Sequence, residues 1–529
     1  MKKFSDLIHL KNETIADPAK PSSQGLIMIQ IDGLSRAQFE KALKTGKMPF
    51  LSTLMRDNFH DLHSFYSGLP SSTPAVQGEL FYGKRCSVPS FGFMDPTTGK
   101  LTSMFSPSTV FSVEKQLAQN HHSILTGGCA YCDIYNRGTA GGAFCSSQMG
   151  INGYLKLINP LQITLLLLRH SFIFLRIITL LILETIFATG DFLRGLIEKQ
   201  NFCKEMLFIP ARVGICVLLR ELITANVSLN IRRGVRLIHC NFLGYDEQSH
   251  RRGPSSAFAH WTLKGIDDAI KRVVTKANAS RANKYSIWIY SDHGQEHTVP
   301  YSKVNGMPVE TAIAKILLEA GINVSPEKHI TESVQLQRVM LLGLQFFCKF
   351  IDGESFKHSG TANHRLKVIA VGPVGHIYLP DNLSARKLNQ IGLHLAQKAN
   401  IPLVMRAEGN SAQVRVWNKF GEWILPQDIV KVAGSDHPFL RELSGDLFEL
   451  VNHPFSGDFV FCGWVPGGSS VSFPIESGAH AGPGVNETHG FALLPKNSPV
   501  NLKHGYIRPR QLREAVQKFI KMHDSFDLQ

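Results

Sequence analysis

The chain lacks an apolar segment near its start, because residues 1–24 are polar almost throughout. A cleaved secretory signal needs an apolar core of at least seven or so residues, so we expect no such signal and a catalytic part that faces the cytoplasm. The nine cysteines are scattered and form no even, closely spaced framework, which argues against a disulfide-stapled scaffold. The one tight pair, Cys129-x-x-Cys132, has no second pair at zinc-knuckle spacing, and we interpret it as incidental.

Motifs of nucleic-acid binding are also lacking, since no zinc finger, basic zipper or RNA-binding aromatic signature is present. We therefore do not expect a nucleic-acid partner. The net charge of +14, with basic pairs such as Arg232-Arg233 and Arg251-Arg252, still favours anionic partners: phosphate substrates or an acidic membrane surface. The alternative is that these arginines are only solvated.

Length and composition are those of a large globular protein. A chain of 529 residues can hold one large α/β domain with insertions, or two domains. Its 43% hydrophobic and 19% charged residues exclude a disordered chain.

Two apolar runs each end in a carboxylate and an imidazole. The run at 235–242 leads into Gly244-Tyr-Asp-Glu-Gln-Ser-His250, and the run at 285–290 leads into Ser291-Asp-His-Gly294. The runs predict buried strands, and open α/β sheets bind ligands at the C-terminal ends of their strands. Asp and His are the ligand types of a zinc or manganese site. The two pairs together therefore indicate a metal-dependent hydrolase.

The N-terminal part supplies a further carboxylate and a candidate nucleophile. Gly25–Ile31 predicts a core strand that ends at Asp32, and Gly33 allows a sharp turn there. Thr73 followed by Pro74 predicts a helix N-terminus, where the helix dipole favours a phosphate or an alkoxide. The same pattern is also common in simple helix caps.

The order of these motifs resembles the alkaline phosphatase superfamily, and within it the type I phosphodiesterase/nucleotide pyrophosphatase branch. Thr73 and Gly83 have the spacing of that branch's nucleophile motif, and the run Asp246-Glu-Gln-Ser-His250-Arg-Arg-Gly-Pro254 matches its Asp-x-x-x-His-x-x-Gly-Pro block. The resemblance covers roughly residues 20–155 and 230–500. It implies an alkaline-phosphatase-like three-layer α/β sandwich with a mixed, mostly parallel central sheet.

The resemblance also implies the site residues. One metal would be held by Asp246, His250 and a late histidine, and the other by Asp32, Asp292 and His293, with Thr73 as nucleophile and facing ligand. The late histidine is either His480, which we favour by its spacing from the following strand, or His489, which could instead face the substrate. We expect His297 to support the site from outside the ligand set or to lie at the surface.

The implied chemistry is metal-assisted phosphoryl transfer, with two divalent ions, zinc or alternatively manganese, and a covalent phosphothreonine intermediate. We expect a phosphodiester or pyrophosphate substrate, and the apolar insertion described below favours one on a membrane or linked to a lipid. The alternatives are a phosphomonoesterase or phosphotransferase of the same superfamily and, outside enzymes, an inactive scaffold recruited to a membrane. The oligomeric state leaves no trace in the sequence.

Residues 156–228 form an apolar insertion between two parts of the catalytic domain, 1–155 and 229–529. Its first run, 161–188, is long enough to span a bilayer, but charged residues interrupt it, and a central arginine costs about 2.5–3.5 kcal/mol. On a helical wheel these polar residues fall in one stripe: Arg169, Arg176, Glu184, Asp191 and Arg194. The insertion, mainly 160–225, could therefore lie in an anionic membrane interface, pack on protein as a hairpin, or span.

Overall fold

The computed structural model describes residues 23–57, 59–95, 98–146, 171–197, 213–322, 330–332, 367–379, 383–409, 413–502 and 504–524. Its strands are β1 (Ser23–Ile31), β2 (His60–Tyr66), β3 (Gly92–Asp95), β4 (Lys100–Ser103), β5 (Cys129–Tyr131), β6 (Gly141–Ala143), β7 (Leu237–Phe242), β8 (Asn283–Tyr290), β9 (Glu296–Pro300), β10 (Ile330–Glu332), β11 (Lys367–Val371), β12 (Val374–Tyr378), β13 (Leu403–Ala407), β14 (Val414–Asn418), β15 (Gly421–Leu425), β16 (Phe459–Cys462), β17 (Ser470–Ser472), β18 (Gly478–Ala479), β19 (His489–Pro495) and β20 (Tyr506–Ile507).

The helices are α1 (Arg36–Lys44), α2 (Pro49–Arg56), α3 (Thr73–Tyr82), α4 (Pro107–Asn120), α5 (Ser171–Ile197), α6 (Arg220–Arg232), α7 (Gly244–Arg252), α8 (Ala257–Asn278), α9 (Tyr301–Asn305), α10 (Val309–Glu319), α11 (Ala385–Gln397), α12 (Ile429–Ala433), α13 (Leu440–Val451), α14 (Val485–Thr488) and α15 (Pro509–Asp524). A π-helical turn, Gly214–Leu219, runs directly into α6.

The central sheet of the described residues has eight strands in the order β20-β2-β19-β8-β1-β7-β5-β6. Strand β19 pairs antiparallel with both of its neighbours, and the other five pairings are parallel. Parallel strands buried on both faces need mainly apolar sequences, and β1, β7 and β8 supply them apart from a few buried polar residues such as Gln30, His239 and Asn241. The predicted mixed, mostly parallel sheet is therefore confirmed.

Helices cover both faces of this sheet and give it three layers. One core lies between the sheet and the helices α3, α4 and α15, with Leu80, Val110 and Leu512 among its members. The other lies between the sheet and the helices α1, α2, α6 and α8, with Phe39 and Leu263 among its members. Because successive residues of a strand face opposite layers, each strand contributes alternate side chains to the two cores.

A second sheet of seven strands, in the order β10-β11-β12-β16-β13-β14-β15, is built from the C-terminal half of the chain. The turn signals Gly372-Pro-Val-Gly375 and Asn418–Gly421 predict two hairpins here, and both form, as β11–β12 and β14–β15. Strand β16 joins them by pairing with β12 on one side and β13 on the other.

The apolar insertion divides into two parts in the structure. Its last part, the π-helical turn and α6, packs in the core beneath the central sheet through Leu219, Ile223, Val227 and Ile231. The segment Gly214–Arg232 is the one described helix that is long and apolar enough to cross a membrane, but most of it is buried inside the protein. Residues 213–228 of the expected membrane-seeking insertion thus form part of the catalytic core, and their apolar character reflects that burial.

The other described stretch of the insertion, helix α5, keeps apolar side chains exposed. The described helix α5 lies along α8, where Arg176 pairs with Asp268 and Phe187 packs 5.1 Å from Trp261. Glu184 of the predicted polar stripe is buried against the protein, whereas apolar side chains of α5 are exposed. Arg169 and the side chains of Asp191 and Arg194 lie outside the described part of the chain.

Candidate active site

Three carboxylates meet at one edge of the central sheet. Strands β1 and β8 are parallel neighbours, so their C-terminal ends coincide, and Asp32 and Asp292 follow these ends. Strand β7 pairs with the other side of β1 and leads through Leu243 into α7, which carries Asp246. All three aspartates are fully buried. The strand order therefore brings together carboxylates that are up to 260 residues apart in sequence.

Helix α7 carries a carboxylate and an imidazole on one face. Asp246 and His250 are one turn apart, and Asp246 Oδ2 lies 3.4 Å from His250 Nε2. The loop after β1 approaches this helix so closely that a Cβ at position 33 would lie 2.3 Å from Asp246 Oδ1. Gly33 also has a φ of +70°, so both its conformation and its surroundings require glycine.

Thr73 lies at the start of α3, as the sequence predicts, with Ser72 as N-cap residue and Pro74 in the first turn. Its side-chain oxygen is 3.4 Å from Asp32 Oδ1 and 3.3 Å from His293 Nε2. Only 3% of Thr73 is exposed. A buried hydroxyl thus stands beside a carboxylate and an imidazole at the positive end of a helix dipole.

His480 follows the short strand β18 and completes the cluster. Its ring stacks on that of His293 with 3.8 Å between centroids, and its centroid is 5.0 Å from that of His250. Its Nε2 lies 3.7 Å from Asp246 Oδ1.

The three histidines share one mode of orientation. Each places Nδ1 on a main-chain carbonyl oxygen: His250 on Gly478 at 3.1 Å, His293 on Gly294 at 2.9 Å and His480 on Ser71 at 2.8 Å. When Nδ1 donates its hydrogen, the neutral ring keeps its lone pair on Nε2, and every Nε2 is turned toward the carboxylates. This is the arrangement found behind metal-bound histidines, where a hydrogen bond from the second nitrogen fixes the tautomer and the ring.

Burial and neighbouring charges shift the pKa values of several groups in the cluster. Burial raises the pKa of Asp292 despite the nearby imidazole of His293, and burial lowers the pKa of His480. Burial would also lower the pKa of His250, but the carboxylates of Asp246 and Glu476 raise it to about 10, so Nε2 of this ring carries a proton unless a cation takes the place of that proton. Buried charges of this kind are costly unless they are paired or bind a metal.

The donor atoms form two groups that could each hold a metal ion. Ligand atoms of Asp32, Asp292 and His293 lie within 4.8 Å of one another, as do those of Asp246, His293 and His480. Buried atoms without a hydrogen-bond partner among the described residues include His250 Nε2, His480 Nε2 and Asp292 Oδ2. Carboxylate oxygens and imidazole nitrogens in this number suit zinc or manganese.

Two histidines singled out in the sequence are not members of either donor group. His489, at the start of β19, shares the strand face of Phe491 and Leu493, which pack under α1, and its Nε2 lies 3.0 Å from Ser64 Oγ. Burial and the nearby Arg36 lower the pKa of His489 to about 4. His297 is exposed on β9.

Side chains that support the ligands were not predicted from the sequence. Gln295 donates to the side chain and main chain of Asp246, and Asn241 Nδ2 donates to Asp32 Oδ2 at 2.8 Å. Glu476 Oε2 lies 3.5 Å from His250 Nδ1. The usable signal for Asn241 is that it and His239 are polar residues in a strand whose other residues are apolar.

The three-layer α/β fold carries a buried site with two candidate metal-binding groups. Residues 203–347 match the model of the type I phosphodiesterase/nucleotide pyrophosphatase family, in agreement with the resemblance predicted from the motifs, and the match indicates a phosphoric ester hydrolase. The matched stretch contains Asp246, His250, Asp292 and His293. No curated protein sequence matches the chain.

Several solved structures are similar to this chain at low identity. Phosphonoacetate hydrolase from Sinorhizobium meliloti 1021, in complex with phosphonoformate, has a TM-score of 0.46 and 12% identity over 94% of this chain and 96% of that chain. Human ectonucleotide pyrophosphatase/phosphodiesterase 5 has a TM-score of 0.45 and 9% identity over 94% and 95% of the respective chains.

Proposed function

We propose that this protein hydrolyses a phosphodiester or pyrophosphate bond through a covalent phosphothreonine intermediate on Thr73. The observation that carries the proposal is the position of the Thr73 oxygen, which lies within 3.4 Å of Asp32 Oδ1 and His293 Nε2 at a helix N-terminus. A hydroxyl so placed is a candidate nucleophile rather than a helix cap, because its oxygen faces the ligand cluster.

The residues present fit two divalent cations, zinc in the first place and manganese as the alternative. Asp32, Asp292 and His293 would hold one ion beside Thr73, and Asp246 would hold the other with the histidines 250 and 480. Such ions, when bound, lower the pKa of a nearby hydroxyl or water and stabilise the departing oxygen.

The chain itself contributes nucleophile, orientation and exclusion of water. The Thr73 oxygen forms a bond to phosphorus while the bond to the leaving oxygen breaks, and water then cleaves the threonine–phosphorus bond and restores the hydroxyl. The N-terminus of α3 favours the negative charge of the phosphoryl oxygens during both steps. The burial of Thr73 limits access of bulk water to the reacting atoms.

A phosphomonoesterase or phosphotransferase of the same superfamily is the second candidate. A monoester carries one more negative charge than a diester at neutral pH. The described contacts of the Thr73 oxygen, to Asp32 and His293, add no arginine to balance that charge. We therefore prefer the diester or pyrophosphate substrate.

The test is metal content together with hydrolysis of bis-p-nitrophenyl phosphate and p-nitrophenyl phosphate, for the wild type and Thr73→Ala. We expect two zinc or manganese ions per chain, preference for the diester, and complete loss of turnover in the variant. Removal of metal with a chelator should abolish activity, and added zinc should restore it. Activity that survives in Thr73→Ala would refute the covalent mechanism.

We also propose an anionic membrane surface, at its inner face, as a partner of helix α5. Its exposed apolar side chains, which we call the α5 stripe, follow a helical repeat: Leu175, Ile182, Ile186 and Leu193, each more than half exposed. Two threonines that border the stripe, Thr179 and Thr189, donate their hydroxyls to carbonyls of the preceding helical turn. An apolar exposed face with internally satisfied hydroxyls suits lipid better than water.

Residues beside the α5 stripe fit the headgroup region. Trp261 on α8 is 40% exposed, and the Lys264 ammonium lies 5.2 Å from its ring. Tryptophan and lysine are typical of membrane interfaces, and lysine attracts anionic lipid. A lipid-linked phosphate ester would then be a natural substrate.

Co-sedimentation with phosphatidylglycerol vesicles tests this partner. The triple variant Leu175→Asn, Ile182→Asn and Ile186→Asn should lose binding, because each aliphatic side chain contributes about 1.5–3 kcal/mol when it leaves water. Phe420→Asn with Phe59→Asn removes exposed apolar side chains elsewhere and should bind as the wild type does. Equal binding by the wild type, the triple variant and the double variant would refute the proposal. If the wild type forms dimers and only the triple variant loses them, the α5 stripe contacts a second copy of the chain instead of a membrane.

A further inference from the structure

A fully buried set of polar side chains lies directly beneath the candidate active site. We call it the buried polar network, and each member is at most 1% exposed: Gln30, Gln77, Asp133, His239 and Tyr290. It lies between the apolar core under α3 and the cluster of candidate ligands. Burying five polar side chains is unfavourable unless each is hydrogen-bonded, so their mutual contacts need an explanation.

The strand pattern places this network under the ligands. Gln30 precedes Asp32 by two residues, and Tyr290 precedes Asp292 by two residues, so each pair leaves its strand on the same face. Gln30 and Tyr290 are also direct partners in the pairing of β1 with β8. Gln30 and Tyr290 of the network therefore lie directly beneath the carboxylates of Asp32 and Asp292.

Gln77 connects this layer to the helix of the nucleophile. It follows Thr73 by four residues, so both lie on the same face of α3. Its Nε2 donates to Gln30 Oε1 at 3.0 Å and to Asp133 Oδ1 at 2.9 Å, and its Oε1 accepts from the main-chain nitrogen of Ile134 at 2.8 Å. Both hydrogens of the amide, and its oxygen, are thus engaged.

The remaining contacts close the network across three strands. His239 of β7 lies 2.9 Å from Asp133 Oδ2 through Nδ1 and 2.7 Å from the Tyr290 hydroxyl through Nε2. The Tyr290 hydroxyl donates to Gln30 Oε1 at 3.1 Å. Rotation or translation of α3 would break the bonds of Gln77, and these bonds are shared with β1 and with Asp133.

We propose that Gln77 is a positioning residue, which fixes the rotation of α3 so that the Thr73 oxygen stays in line with the carboxylates of β1 and β8. The proposal rests on the proposed function of Thr73 as nucleophile. Gln77 touches no candidate ligand and holds no substrate; its role is to join the nucleophile helix to the strands that carry the ligands. Three other polar contacts of α3 are made away from the strands that carry the candidate ligands: Ser87 Oγ donates to the carbonyl oxygen of Pro74 at 3.1 Å, Arg508 donates to Glu79, and Tyr82 donates to Glu114.

The experiment compares Gln77→Met with Tyr82→Phe and Thr73→Ala in the full-length, zinc-loaded protein. Methionine keeps the length of Gln77 without its hydrogen bonds. Tyr82→Phe is the matched control, because it removes one buried hydrogen bond of 2.8 Å, to Glu114, from the same helix two turns after the nucleophile. The readouts are kcat and KM on bis-p-nitrophenyl phosphate, bound zinc per chain, and the urea midpoint of unfolding.

We expect Gln77→Met to lower kcat by about 10- to 100-fold, since small misplacements of a reacting group have effects of this size. KM and bound zinc should stay within about two-fold of wild type on the same reasoning, because the ligands are untouched. Tyr82→Phe should lower the urea midpoint and leave kcat nearly unchanged. A kcat for Gln77→Met equal to that of Tyr82→Phe, or a zinc loss proportional to the loss of activity, would overturn the proposal.

If Gln77→Met does not fold, Asp133→Asn tests the positioning role of Gln77, because Asp133 accepts the same hydrogen bond. It should lower kcat with normal zinc content, and a wild-type kcat would refute the positioning role. Failure of the proposed function gives a different result, since Thr73→Ala would then keep its activity whatever Gln77 does.

Discussion

Replacement of Gly33 by alanine tests how tightly the site is built. A Cβ at this position would lie 2.3 Å from Asp246 Oδ1 and 2.9 Å from Asp246 Cβ, whereas ordinary contacts begin near 3.4 Å. Asp246 must therefore move by about 1 Å, and a shift of that size at a reacting centre can cost about 100-fold in rate. The φ of +70° adds about 1–2 kcal/mol of backbone strain for any residue with a Cβ.

Gly46 provides the matched control. It has a similar φ of +64°, and a Cβ there would meet nothing within 4 Å. Gly46→Ala should therefore lower the free energy of unfolding by about 1–2 kcal/mol and leave catalysis intact. Both variants have the strain of a left-handed backbone. The difference in kcat between them therefore measures the effect of displacing Asp246.

The assay is kcat on bis-p-nitrophenyl phosphate, bound zinc per chain, and urea unfolding for both alanine variants. Gly33→Ala should lose about 100-fold in kcat relative to Gly46→Ala, with zinc falling toward one ion per chain because Asp246 belongs to one of the two groups. If Gly33→Ala retains full zinc and a kcat close to that of Gly46→Ala, the geometry described for Asp246 is refuted.

Two further predictions concern buried charges and the late histidine. Burial alone would raise the pKa of Asp446, but Arg508 and Arg85 lower it. The carboxylate of Asp446 therefore stabilises the fold above the unfolded pKa of about 4, and this stability is lost as the pH falls through the lower folded pKa. Urea unfolding at descending pH should show that loss, and Asp446→Asn should lack it. His480→Ala should abolish turnover and lower bound zinc, whereas His489→Ala should change kcat by less than about three-fold; the reverse order would exclude His480 as the ligand.

Most of the candidate site could be predicted because its motifs follow apolar strands: Asp32 follows β1, the pair Asp292-His293 follows β8, and Asp246 and His250 lie on the helix after β7. Asp32 and Asp292 end continuous apolar runs, and polar groups at such ends converge in any parallel sheet. The preference for His480 over His489 depended on its spacing from the next strand. In the structure His480 lies in one of the two candidate donor groups, and His489 leaves β19 on the face that packs under α1, so the choice of His480 stays a prediction.

Other features depend on long-range packing that a local pattern does not contain. The hairpins around residues 372 and 420 are visible in the sequence, but their union through β16 is not. Residues 213–228 have the composition of a membrane-seeking segment, yet they are buried under the central sheet. Gln30 and Asn241 belong to no motif, and the sequence shows them only as polar residues within buried strands.

The main-chain carbonyls behind His250, His293 and His480 have a consequence for the evolution of this protein. Carbonyl groups are common to all residue types, so the tautomer and direction of each imidazole follow mainly from the path of the backbone, with Glu476 as an added side-chain neighbour of His250. Most positions around these histidines can therefore diverge without disturbing how the rings are aimed. Divergent chains could keep such a centre with little in common beyond the ligands themselves and the turns that carry them.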